Sequence, residues 1–317
     1  MPRRLYARGK LLLTAEYVVM EGALALALPV SFGQMMQVEE NVDGHILWLA
    51  YEKGEEWFRA VFSEDLSCVE TTHDQMGAAL RHLLSTVRLL SGQRKLFQNS
   101  LIITDTDYPR PWGLGSSATL VALLALYSGV NPYLLQASTF GGSGYDVACA
   151  FASGPIFYRR VSVANPEVKQ AILPVRMQRW LYFIYSGRKQ SSSDEVARYK
   201  NLPANDRATA VHVISRLSER LTTVDSFQEL ASLLMEHEEI IGRLIQKEPI
   251  QHQFPDFDGV LKSLGAWGGD FFLACTEKPK DEVVQYFEAR GVGPVFSYSD
   301  LIYDKQRWSH RNYKVLG

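Results

Sequence analysis

The stretch Pro109–Thr119, Pro-Arg-Pro-Trp-Gly-Leu-Gly-Ser-Ser-Ala-Thr, holds the residue types that wrap a polyphosphate. Gly113 and Gly115 remove side chains where backbone must approach a ligand closely. Ser116 and Ser117 stand where a helix begins, and the apolar run Leu120–Leu126 follows without a breaker. Such a junction aims unpaired amides and the positive end of the helix dipole at an anion. A Ser hydroxyl there can ligate the magnesium that accompanies a nucleoside triphosphate. The same residues also suit a plain loop with a Ser N-cap. Rival phosphate motifs fit less well. Gly113-x-Gly115-x-x-Ala118 matches the Gly/Ala variant of the dinucleotide fingerprint, but the strand expected at 100–104 ends well before Gly113. No Asp or Glu lies between Thr119 and Tyr145 to hold a ribose. The Gly-x-x-x-x-Gly-Lys-Ser/Thr pattern is absent.

These residues need elements to hold them. Apolar runs at 5–13 and 23–30 flank Glu16–Gly22. Segments 36–38, 45–49 and 56–62 alternate and read as antiparallel strands. Residues 74–91 place Met76, Leu80, Leu83, Leu84, Val87 and Leu90 on one helical face. The helix after the Gly-Ser loop ends at Gly129–Pro132. Strands are expected at 155–161 and 180–185, and helices at 206–223, 226–247, 257–264 and 279–290. Helices and strands mix without a regular β-α-β alternation, which makes the class α+β.

Composition narrows the function. A net charge of −2 on 317 residues provides no field to recruit nucleic acid. No apolar run approaches a membrane-spanning length. Cys68, Cys149 and Cys275 lack metal-ligand spacing and read as three buried thiols, which suits a reducing, cytoplasmic setting. His237 lies on an apolar helical face and reads as a packed histidine. Oligomeric state is not legible.

Three Gly-centred segments occur in order: Gly9-Lys10-Leu-Leu-Leu-Thr-Ala-Glu16-Tyr17-Val-Val-Met-Glu-Gly22, the Gly113–Ser117 loop, and Gly141-Gly-Ser-Gly-Tyr-Asp146-Val-Ala. Together they resemble the GHMP kinase superfamily, most of all its mevalonate and phosphomevalonate branch. The resemblance implies an α+β, two-domain GHMP kinase fold, with a ribosomal protein S5 domain 2-like N-terminal domain over 1–172 and a ferredoxin-like C-terminal domain over 173–317. It implies an ATP- and Mg2+-dependent kinase acting on a small anionic alcohol. Gly113, Leu114, Gly115, Ser116, Ser117 and Ala118 match the phosphate loop, and Ser117 the residue that touches magnesium. Asp146 matches the aspartate that accepts the substrate hydroxyl's proton, and Lys10 the lysine beside it. Glu16 matches an acid of the first motif and is expected to meet substrate.

Elementary chemistry agrees with this assignment. Phosphoryl transfer asks mainly for positioning and charge stabilisation. A carboxylate next to a cation stays ionised and can take a proton from an alcohol within reach. Read without the other motifs, Asp146 is an ordinary turn residue and Lys10 a solvated strand end. Ser186-Gly-Arg188-Lys189-Gln190-Ser191-Ser192-Ser193 resembles the acceptor-facing segment of that branch, and a solvated basic loop is its plain alternative. The chain departs from the family in four places. Arg8 stands where the family usually has proline before Gly9. Ala15 replaces the usual glycine before Glu16. No acid precedes the Asp146 segment to bind magnesium. Trp267 and Asp270 interrupt the third glycine run, Gly265-Ala-Trp-Gly268-Gly269-Asp270, and are expected to narrow the site and add charge.

Overall fold

A computed structural model describes residues 3–188, 199, 203–265, 267 and 269–308. The long strand β2 (Ala25–Glu40) organises the N-terminal half. β1 (Arg3–Leu12) runs antiparallel along it. The second half of β2 pairs with β6 (Ser100–Thr106) and its first residues with β7 (Ile156–Arg159). β3 (Ile46–Glu52), β4 (Glu55–Phe62) and β5 (Cys68–Thr71) continue past β6, and β8 (Glu167–Gln170) past β7. The sheet order is β5-β4-β3-β6-β2-β7-β8, with β1 on β2. β3 and β4 form the expected antiparallel hairpin. The Met36–Val38 strand is not their neighbour, because β6 lies between and pairs with β3 in parallel.

Helix α1 (Asp74–Ser91) agrees with its periodicity. α2 (Ser116–Ser128) buries Ala118, Thr119, Val121–Ala125 and Ser128. A helix enclosed on nearly all sides shows no apolar stripe, which is why the run after Ser117 is continuous. Gly129 ends α2, but Pro132 opens a further helix, α3 (Pro132–Thr139). Its cap is Asn131, whose side chain accepts from Tyr133 and Leu134 N–H. α4 (Tyr145–Phe151) follows at once.

The C-terminal half holds a second antiparallel sheet, of order β10-β11-β9-β12. Its strands are β9 (Leu181–Tyr185), β10 (Val260–Ser263), β11 (Phe271–Cys275) and β12 (Val295–Ser297). Helices Phe227–Ile245 and Lys280–Glu288 pack with it, and Ala204–Arg220 packs on Phe227–Ile245. The helix expected at 257–264 is not formed. A 3₁₀ turn at Ile250–Gln253 and strand β10 take its place. All four β10 residues are buried, so the strand lacks the alternation that marks a half-exposed one.

One core joins the halves. Leu26, Val30, Leu114 and Cys149 share it with Leu181, Phe183, Leu234 and Trp267. Trp112, just before the Gly-Ser loop, stacks edge-on against Phe296 and Phe271 with ring centroids 5.4 and 6.1 Å apart. The loop is thus wedged against the second sheet. Cys149 and Cys275 are buried as expected, but Cys68 on short edge strand β5 is exposed. Among the described residues no helix is long and apolar enough to cross a membrane.

Gly33 on β2 is demanded by close packing. A Cβ there would stand 2.2 Å from Ala7 O and 2.7 Å from the Tyr6 ring. Because the nearest atom is backbone, Gly33→Ala is expected to cost about 1–3 kcal/mol. Urea denaturation measures it, and a loss under about 0.5 kcal/mol would contradict the packing.

Candidate active site

β1 delivers Lys10 through a bulge. Its register on β2 shifts between Arg8 and Lys10. At Gly9 a Cβ would lie 2.7 Å from Leu114 O, so only glycine admits the loop this close. Lys10 N–H then donates to Leu114 O at 2.9 Å, and Lys10 Nζ to Gly113 O at 3.0 Å. The lysine stem fills the space beside Gly115, where a Cβ would meet its Cε at 3.2 Å. Gly113 and Gly115 both take left-handed φ, +67° and +94°. Gly115 is the N-cap of α2, and no side chain caps that helix. The Ser N-cap alternative is therefore not what forms. The first amides of α2 remain available to an anion.

Asp146 reaches the same place from α4. Gly144, the N-cap, has φ +91°, and a Cβ on it would lie 2.9 Å from the Tyr158 hydroxyl. That tight corner puts Asp146 in the first turn of the helix, where its Oδ1 accepts from Val147 N–H at 3.0 Å. Lys10, Glu16, Ser143, Tyr145, Asp146 and Asp270 share the lining of a cavity of about 180 Å³. Burial pushes the Asp146 carboxyl above its ordinary value, with Lys10 opposing. Burial also pulls on the Lys10 ammonium, but Tyr145, Asp146 and Asp270 together hold it above its ordinary value. Lysine stays charged and the aspartate is a stronger base than usual, a suitable state for taking a proton from an alcohol.

A second cavity, of about 360 Å³, opens on the other side of the loop, and sequence reading missed it. Ser116 and Ser117 edge it, and Trp48, Trp57, Met76, Leu80, Leu120 and Phe140 give it apolar walls. Arg110, whose place beside the loop makes it a candidate from sequence for a substrate carboxylate or phosphate, holds one wall. Its guanidinium stacks 3.3 Å from the Trp57 ring centroid and pairs with Glu52 at 3.1 Å. The contributors come from β3, β4, α1 and α2, so no local pattern marks the cavity.

Glu16 sits beneath the first cavity in a buried charge network. Lys262 Nζ on β10 donates to Glu16 Oε1 at 2.5 Å and to Ser263 O at 2.9 Å. Glu16, Lys262 and His237 are all 0% exposed. His237 Nε2 accepts Ala15 N–H at 3.0 Å. It lies 3.4 Å from Glu16 Oε2, but an accepting nitrogen makes no ion pair, and burial pulls this histidine well below its ordinary value. His237 is thus packed, as expected, and also hydrogen bonded. Glu238 accepts from Ile250 N–H, Ser263 N–H and the Ser263 hydroxyl. Glu16 Oε2 meets no hydrogen-bond partner among the described residues. The one sequence signal was Glu238, four residues after Leu234 on the buried face.

The fold has counterparts among solved structures. The phosphomevalonate kinase of Streptococcus pneumoniae, solved with phosphomevalonate and AMPPNP, aligns at a TM-score of 0.70 and 16% identity, over 93% of this chain and 99% of that one. The mevalonate kinase of L. major, in complex with R-mevalonate, aligns at 0.62 and 16%, over 95% and 96%. The galactokinase of Lactococcus lactis, complexed with galactose, aligns at 0.66 and 12%, over 96% and 94%. The chain has the GHMP kinase fold. No family model matches the sequence, and no curated protein matches it at a significant level.

Within the GHMP kinase fold, Lys10 of the first segment bonds to the Gly113–Ser117 loop and shares a cavity with Asp146, and the Gly265–Asp270 run is altered. Ala15, where glycine is usual, has φ +70°, a left-handed conformation costly for alanine, and its N–H is held by His237. Trp267 does not narrow the site. It is buried in the core against Gly242, where a Cβ would lie 3.1 Å from the indole. Asp270 does enter the cavity. Arg188 and Gly269 line a different cavity, with Ser186, Phe254 and Arg290, so they are not brought to Asp146. Arg188 follows the end of β9 and Gly269 precedes β11. Lys189, Ser191, Ser192 and Gly268 lie outside the described residues.

Magnesium fits the donors present in one form. Among the described residues no group of three or more His, Cys, Asp and Glu could cage a metal. The Ser117 hydroxyl suits an ion that keeps waters and arrives on phosphate.

Proposed function

We propose that the protein is an ATP-dependent kinase that transfers the γ-phosphoryl group to a small anionic alcohol, mevalonate or 5-phosphomevalonate, in the cytoplasm. The observation that carries this reading is the pairing of Lys10 and Asp146 in a small cavity on one side of the Gly113–Ser117 loop, with a nucleoside-sized apolar cavity on the other. The reading assigns residues 1–172 to nucleotide binding and 173–317 to the C-terminal domain.

The nucleoside lies against Trp57, Leu120 and Phe140, and its phosphates cross the loop to the amides that open α2. Ser117 would hold magnesium together with phosphate oxygens and water, and the ion would offset charge on those oxygens. Asp146 takes the proton of the acceptor hydroxyl as the new oxygen–phosphorus bond forms. The bond between the γ-phosphorus and the β,γ-bridging oxygen breaks, and ADP leaves. Lys10, tied to Gly113 O, steadies charge on the transferring group. Glu16, fully enclosed and held by Lys262, supports the cavity floor and does not touch the acceptor.

A neutral polyol is the second reading. It is favoured by the charge of the cavity, where Asp146 and Asp270 face Lys10 as the cation among the described lining residues. The test is turnover with ATP of mevalonate, 5-phosphomevalonate, galactose and homoserine. Turnover of galactose or homoserine alone removes the mevalonate assignment. Nucleotide binding without turnover of any alcohol removes the kinase and leaves a nucleotide-binding protein.

The nucleoside cavity has its own check. Ala79 is exposed at its mouth, so a larger side chain there is tolerated by the fold. Ala79→Trp is expected to raise KM for ATP at least about tenfold, with the acceptor KM little changed. Steady-state kinetics measure both, and an unchanged KM for ATP would place the nucleoside elsewhere.

A further inference from the structure

Of the charged residues lining the catalytic cavity, Asp270 has no part in the chemistry above. It comes from the C-terminal half, directly before β11. Its backbone is pinned to the end of β9: Asp270 N–H donates to Arg188 O at 2.7 Å, and Asp270 O accepts from Ser186 N–H at 2.7 Å. Its φ of +50° is a left-handed conformation uncommon for a side chain other than Asn or Asp. The carboxyl lies flat on the phosphate loop. A Cβ at Gly113 would stand 2.2 Å from Asp270 Oδ2, 2.3 Å from Cγ and 2.7 Å from Oδ1. The oxygen of that same glycine holds Lys10 Nζ. A gap that glycine leaves for a ligand's oxygens is here filled by an acid of the protein itself.

We propose that Asp270 is a specificity-determining residue for the charge state of the nucleotide. It is a resident anion on the seat of the transferable phosphoryl group, and it makes nucleotide binding conditional on a divalent cation. The inference rests on the reading of Gly113–Ser117 as the nucleotide loop. With no ligand, the Asp270 carboxylate supplies the negative charge that Lys10 and the loop are built to meet. An incoming polyphosphate brings like charge to the same few ångströms, which disfavours both. Magnesium carried on the phosphates offsets that repulsion, so the metal complex is admitted and the free polyanion refused. The carboxylate is held by the second sheet while Gly113 belongs to the first half, so the filter acts across the seam between the two.

The experiment is calorimetric binding of AMPPNP, with saturating Mg2+ and with EDTA, to the wild type, Asp270→Asn and Asp270→Gly. Asn and Gly both tolerate φ +50°, so each variant is expected to fold, and thermal melting checks this. Both variants are expected to bind metal-free AMPPNP at least about tenfold tighter than the wild type, and the Mg2+ complex within about threefold. Equal metal-free affinity in wild type and variants overturns the proposal. So does a loss of affinity for the Mg2+ complex in both variants, which would make Asp270 a metal ligand instead. A wild type that binds neither form removes the nucleotide loop as well, whereas one that binds only the complex while the variants gain nothing removes the filter alone.

Discussion

Asp146→Asn is expected to lower kcat by about 10²–10⁴-fold and to leave nucleotide affinity within a few-fold. Asparagine keeps the shape of the side chain, and its amide oxygen can still accept Val147 N–H. What it loses is the capacity to take the acceptor's proton. The wild type should also show a characteristic pH profile. Burial raises the Asp146 carboxyl above its ordinary value against the pull of Lys10, so the base becomes protonated, and the rate falls, at a higher pH than an ordinary aspartate would give. The acidic limb of kcat against pH should therefore lie higher than an ordinary aspartate gives and be absent from the residual activity of the variant. A variant retaining more than about a tenth of the wild-type kcat would remove Asp146 from the chemistry.

Lys262→Met should be the most destabilising single change in the buried network, at about 3–5 kcal/mol near pH 8. The methionine has room, but Glu16 would be left without its cation in a fully enclosed position. The effect must depend on pH. Burial pushes the Glu16 carboxyl from its ordinary 4.5 to about 7, with Lys262 opposing and Glu238 adding to the rise. The folded protein therefore holds this proton more tightly than the unfolded chain. The stability linked to it is complete below about pH 4.5 and is lost as pH rises through about 7. In Lys262→Met the missing cation moves the Glu16 carboxyl higher still, so the variant should lose less at pH 5, where Glu16 is neutral, than at pH 8. The double variant Glu16→Gln/Lys262→Met should regain most of the loss. Urea denaturation at the two pH values measures all three. A single-variant loss under about 1 kcal/mol at pH 8 would show that the pair does not bind the halves together.

Much of the catalytic side was readable from residue order. Gly113, Gly115 and the unbroken run after Ser117 describe a loop feeding a buried helix, and α2 begins at Ser116. Gly144 before Asp146 marks a sharp corner, and α4 starts at the next residue. In each case the cause is local: a φ that only glycine adopts freely, or a Cβ that would collide.

Elsewhere local reading failed, and for one physical reason. Val260–Ser263 read as helix because a strand buried on both faces carries no alternation. Cys68 read as buried because nothing nearby in sequence says that β5 is a short edge strand. Arg188 follows β9 as expected, but the turn of the chain there sends it to another cavity.

The chain order alone determined the loop, the helix starts, and the acid and lysine offered to them, since these depend on backbone torsions and steric reach over a few residues. Tertiary structure decided which charges meet. Glu16 finds Lys262 across 246 positions, and Asp270 settles on Gly113 from the opposite half. A carboxylate's partner, and so its charge, is set by whatever the folded core brings within a few ångströms, and no spacing along the sequence encodes that distance.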